Sequence, residues 1–156
     1  MKNRLKGITL METVLYIGLF SVITLIILNF MLSLQETTLR TKRKSDLHQA
    51  SEFMIRHLDY SFTKALSINE LNSVFENSNG VLELMFESGN KQYYLTDSKF
   101  YFNGTSLTTS SILVSDFFVT PVYTGSSNLT GVKINMILIS SEDVNFTKSV
   151  DILLVL

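Results

Sequence analysis

The sequence predicts an α+β protein: a long N-terminal helix, membrane-inserted over its first half and packed by its second half on a mostly antiparallel β-sheet. Three observations predict it. The run Ile8–Leu34 carries one charge, Glu12. Apolar residues then recur at three- and four-residue spacing from Leu47 to Ala65, with no Gly or Pro between. From about Val81 the pattern changes to strand-like alternation broken by turn residues. Residues 1–7 form a basic leader, 8–34 the apolar helix, 35–66 its amphipathic continuation and 67–156 the sheet domain.

The leader MKNRLKG carries Lys2, Arg4 and Lys6. The stretch that follows, Ile8 to Leu28, has about 21 residues and at ~1.5 Å per residue spans roughly 30 Å, the thickness of a bilayer's hydrocarbon. It exceeds the apolar core of a secretory signal, and no small-residue cleavage site follows it. It therefore reads as a retained membrane helix. Arg40, Lys42, Arg43 and Lys44 lie beyond it and balance the leader, so charge counts alone leave the orientation undecided. Glu12 is the anomaly, because a carboxylate at the centre of a membrane helix costs roughly 2.5 kcal/mol or more.

Gly7 followed by Ile-Thr-Leu-Met-Glu, with a basic leader before it and an apolar helix after it, resembles the N-terminal processing signal of type IV prepilins and type II secretion pseudopilins. The resemblance covers about 25 residues. It implies cleavage after Gly7 by a prepilin peptidase, N-methylation of Ile8, and Glu12 as the fifth mature residue. It also implies a pilin-like fold, a cytoplasmic N-terminus with the C-terminal domain outside, and assembly into a pilus or pseudopilus. The expected partners are the peptidase/methyltransferase, other pilin subunits, a membrane assembly platform with a separate motor ATPase, and membrane lipids before assembly. Two departures stand out. Ile8 occupies a position where Phe is commonest, and Asn29 stands where many major pilins have Pro. The layout, a long helix and then meandering strands, is similar to minor pilins and minor pseudopilins. Within such an assembly, the new ammonium at Ile8 gives Glu12 an opposite charge, on its own subunit or on a staggered neighbour.

The helix is expected to continue to about Leu66, roughly 85 Å from Ile8 at ~1.5 Å per residue. Leu47, Ala50, Met54, Leu58, Phe62 and Ala65 form the stripe on which a sheet packs. Strands are expected at VLELMFE, KQYYLT, KFYF, SILVSDFFVT, GVKINMILIS and FTKSVDILLVL, with turns at Ser88–Asn90, Asp97-Ser98 and Asn103-Gly104 and a long loop from Thr124 to Gly131. Tyr93, Tyr94, Tyr101, Phe117 and Phe118 are expected to pack within the sheet.

Several chemistries are excluded or disfavoured. No cysteine is present, so there is no disulfide and no thiolate site. A net charge of −1 provides no bulk field for nucleic acid and leaves only a local patch as a possible contact. His48 and His57 are nine residues apart, on opposite sides of a helix, and cannot share one metal. Lys42-Arg43-Lys44 reads as a solvated helix face, with phospholipid headgroups or acidic subunits as the alternative partners, and Glu142-Asp143 as a solvated turn too poor in ligands for calcium. The N-x-[ST] triplets at Asn103, Asn128 and Asn145 read as chance. No catalytic or nucleotide motif appears, so the chain is expected to be neither an enzyme nor a cofactor protein. The rival reading is a single-pass anchored binding or sensor domain that never assembles; it leaves Gly7, Ile8 and Glu12 without a role.

Overall fold

A computed structural model describes residues 9–125 and 128–156. The architecture is α+β, with one long N-terminal helix and antiparallel sheets. Helix α1 runs from Leu10 to Lys64 without a break. Ser21, Thr24 and Asn29 do not interrupt it. Ser21 and Thr24 each give their hydroxyl to the carbonyl four residues back, Ile17 and Phe20, at 2.8 Å. Those hydroxyls therefore need no partner outside the helix.

The chain divides into two units, Met1–Lys42 and Arg43–Leu156. Within the second, eight strands follow the helix: β1 (Ser67–Ile68), β2 (Val81–Phe86), β3 (Gly89–Thr96), β4 (Lys99–Phe102), β5 (Thr105–Ser106), β6 (Ile112–Thr124), β7 (Asn128–Ser140) and β8 (Asp143–Val155). They form two sheets rather than one, β1 to β5 in sequence order and β6-β7-β8, antiparallel throughout. Two of the hairpins are set by two-residue turns with both residues at positive φ. Asp97 and Ser98 have φ of 52° and 58°, and Asn103 and Gly104 have 48° and 85°. That is the twist-compatible primed geometry, which Asn and Gly adopt at the least cost.

β6 and β7 run further than expected, to Thr124 and from Asn128, so the expected eight-residue loop is mostly strand. Pro121 lies inside β6 and is tolerated because β6 is an edge strand, where a missing N–H breaks no ladder on the outer side. Gly131 pairs with Val155, and a Cβ there would collide with the backbone carbonyl of Leu154. Only glycine fits so close an approach.

One core joins the helix and both sheets. Leu47, Met54, Leu58 and Phe62 of α1 are buried with Leu82, Leu84, Tyr93, Phe100, Phe117, Val119, Ile134, Met136 and Leu138, and Ala50 and Ala65 pack against them half-buried. Phe100 of β4 meets Phe117 of β6 edge-on, with ring centroids 4.8 Å apart, and so links the two sheets. The segment after β1 is held by Glu83, whose Oε1 accepts from Asn69, Asn72 and Asn90 at 2.7, 2.9 and 2.8 Å. These bonds, that from Asn72 foremost, hold its carboxyl below the usual carboxylate range.

Candidate functional site

Among the described residues of the first unit, those of α1 include no buried side chain. An 18-residue window within α1 is apolar enough to cross a membrane, and none of it is buried. Leu10, Val14, Leu15, Ile17, Phe20, Ile26, Phe30 and Leu34 are all exposed, on every side of the helix. A helix apolar all round needs an apolar environment: lipid, or other helices. Single-pass membrane anchoring fits this length and composition.

Glu12 lies in the first turn of this helix. Thr9 immediately precedes the helix, and its hydroxyl oxygen accepts from the Glu12 N–H at 3.3 Å. Its carbonyl accepts from the Thr13 N–H at 3.1 Å. Thr9 is therefore an N-cap, with Glu12 three residues on, the spacing of a capping box. The Tyr16 hydroxyl, one turn further, donates to Glu12 Oε1 at 3.1 Å. A carboxylate in the first turn is also favoured by the helix dipole. Neither Thr9 nor Tyr16 was singled out as a site residue, although Thr-x-x-Glu is a readable capping signal. A carboxylate can accept more than the one hydroxyl that Tyr16 supplies. Gly7 and Ile8 lie outside the described residues.

In the second unit the helix is fixed by polar contacts that local pattern does not reveal. Arg43 donates from Nε to Glu142 Oε2 at 3.2 Å and from Nη1 to Asp143 Oδ2 at 3.4 Å, and it lies 5.8 Å from the centre of the Phe146 ring. Neither the basic triplet nor the acidic turn is thus merely solvated, because Arg43 joins them across about a hundred residues of sequence. Further along, the buried Tyr93 hydroxyl gives its one proton to Ser61 Oγ at 2.6 Å, which leaves its oxygen to accept from His57 Nδ1–H at 2.7 Å. Burial pushes the Tyr93 phenol well up, against a smaller opposing effect of the Ser61 bond. Burial lowers His57 below the ordinary 6.5.

A histidine with a lowered folded pKa takes up a proton more readily when unfolded. Stability is therefore retained above about 6.5 and lost as pH falls from there toward the folded value. Denaturant melts of the full chain at stepped pH are expected to show that loss, and His57→Phe is expected to flatten it. An unchanged slope in the variant would assign the loss to other groups.

No group of three or more His, Cys, Asp or Glu able to hold a metal occurs among the described residues. No family model, curated protein or solved structure matches this chain.

Proposed function

We propose that this chain is a type IV pilin-like structural subunit, a minor pilin or pseudopilin. In this reading a prepilin peptidase cleaves it after Gly7 and methylates Ile8. It then sits in the cytoplasmic membrane with its N-terminus inside and its β domain outside, and it assembles through its apolar helix into a pilus or pseudopilus. A platform protein and a separate motor ATPase supply the mechanics.

The observation that carries this reading is the helix from Leu10: apolar on all sides, unpacked, and bearing one carboxylate in its first turn. An anchor needs the apolar surface but not the acid. A helix that leaves the bilayer to pack with copies of itself needs both, the surface for burial and the acid for register against an N-terminal ammonium. The Gly-Ile-Thr-Leu-Met-Glu signal points the same way.

The test is the mature N-terminus, read by intact-mass and peptide mass spectrometry with the cognate peptidase present and absent. A peptidase-dependent chain beginning at methylated Ile8 is expected. A chain that keeps its leader in both samples would leave an anchored domain and remove the assembly role.

A further inference from the structure

We propose that a pocket between α1 and β8 binds a phosphate group. Its volume is about 430 Å³, and it is lined by Lys44, Leu47 and His48 from the helix and by Asn145, Phe146, Thr147 and Lys148 from the strand. Lys44 and His48 are four residues apart, on one helix face. β8 brings Lys148 to them across a hundred residues of sequence, and its Nζ lies 3.2 Å from His48 Nδ1.

That contact decides the chemistry of the site. An ammonium only donates, so Nδ1 accepts and the imidazole carries its proton on Nε2. His48 therefore holds Lys148 in place without neutralising it, and keeps one N–H donor of its own. No carboxylate lines the pocket. Asp46, the acid nearest in sequence, lines a different pocket, with Gln49 and Phe53, while Glu142 and Asp143 are engaged by Arg43, and Asp151 by Lys133 at 3.1 Å. Neither Lys44 nor Lys148 forms an ion pair among the described residues. Two unneutralised ammonium groups and an imidazole N–H thus border one cavity.

A phosphate monoester carries a charge of about −1.5 to −2 and three strong acceptor oxygens. It matches two cations and an additional neutral donor, where a carboxylate with one charge and two oxygens leaves a lysine over. The half-buried Phe146 ring supplies an apolar wall for whatever bears the phosphate. Both a soluble phosphate and the headgroup of a phosphatidic-acid-like lipid present this chemistry. The proposal rests on the pocket alone and stands apart from any role in filaments.

The chain contains two histidines, so His57 serves as an internal control for His48. Full-length protein in maltoside micelles is titrated with inorganic phosphate at constant pH and ionic strength, and the imidazole carbon-bound protons are followed by NMR. The His48 resonances are expected to move and saturate while those of His57 stay. Lys148→Gln is expected to weaken binding about tenfold, as loss of a charge-assisted bond does. Lys44→Gln with Lys148→Gln should abolish it, and Lys133→Gln should change nothing.

The same chain in phosphatidylcholine nanodiscs, with and without phosphatidic acid, separates the sources. A His48 shift in micelles identifies soluble phosphate, and one only with phosphatidic acid identifies a headgroup. No movement of His48 in either setting, or equal affinity in the double variant with its melting curve intact, overturns the proposal.

Discussion

Glu12→Ala is expected to leave the chain in the membrane and remove it from any filament. If Glu12 neutralises an ammonium in a packed helical bundle, removing it strands that charge, at a cost of about 3–5 kcal/mol. At ~1.4 kcal/mol per tenfold, incorporation should fall by a hundredfold or more. The local role of Glu12 predicts far less. Its backbone N–H meets Thr9 and its side chain meets Tyr16 whether or not a second subunit exists. Losing the Thr9 cap through Thr9→Val should cost about 1 kcal/mol and fray one turn. Glu12→Gln separates charge from hydrogen bonding, since the amide oxygen still accepts from Tyr16. The ratio of subunit in sheared filaments to subunit in membranes reads all three variants. Glu12→Ala and Glu12→Gln should fail alike while Thr9→Val assembles. Incorporation of Glu12→Ala within about twofold of the parent would reduce Glu12 to its part at the helix start.

The second large effect lies in the core. Leu58 and Met54 are fully buried on the helix face that meets the sheets. Leu58→Ala should destabilise the domain by about 2–5 kcal/mol, since the rigid strands around it cannot collapse into the cavity. A fall in Tm of about 10 °C or more follows. Phe53, one residue before Met54, is half exposed. Phe53→Ala should cost less than Leu58→Ala by a clear margin in the same melts, despite removing a larger side chain. Equal losses would mean that the face from Leu47 to Phe62 does not carry the packing.

The helix was legible because its signals are local: no Gly or Pro after Gly18 until Gly80, and apolar spacing that follows the helical turn. The short hairpins were legible for the same reason, since Asp97-Ser98 and Asn103-Gly104 are turn residues wherever they occur. What eluded the sequence depends on distance along the chain. Division into two sheets is set by which strands find each other, and alternation within each strand is the same either way. The strand expected at SILVSDFFVT stops short of Pro121, whose place inside β6 depends on β6 being an edge, a fact of topology. Arg43 pairs with acids about a hundred residues away, and Tyr93 reaches back to Ser61 and His57. Of the candidate assembly residues, Glu12 stood out by its chemistry alone. Thr9 and Tyr16 were overlooked because a threonine and a tyrosine near an apolar run raise no cost that demands explanation.

The clasp of α1 by β8, through Arg43 with Asp143 and His48 with Lys148, has a consequence in time. The helix leaves the ribosome well before the strand that clasps it. At ~5–20 residues per second, synthesis of the intervening hundred residues takes several seconds, far longer than a helix needs to form. During that interval Leu47, Met54 and Leu58 have only part of their eventual cover. Completion of the last strand is therefore the step that closes the domain, and a stalled or truncated nascent chain presents an open apolar face to chaperones and proteases.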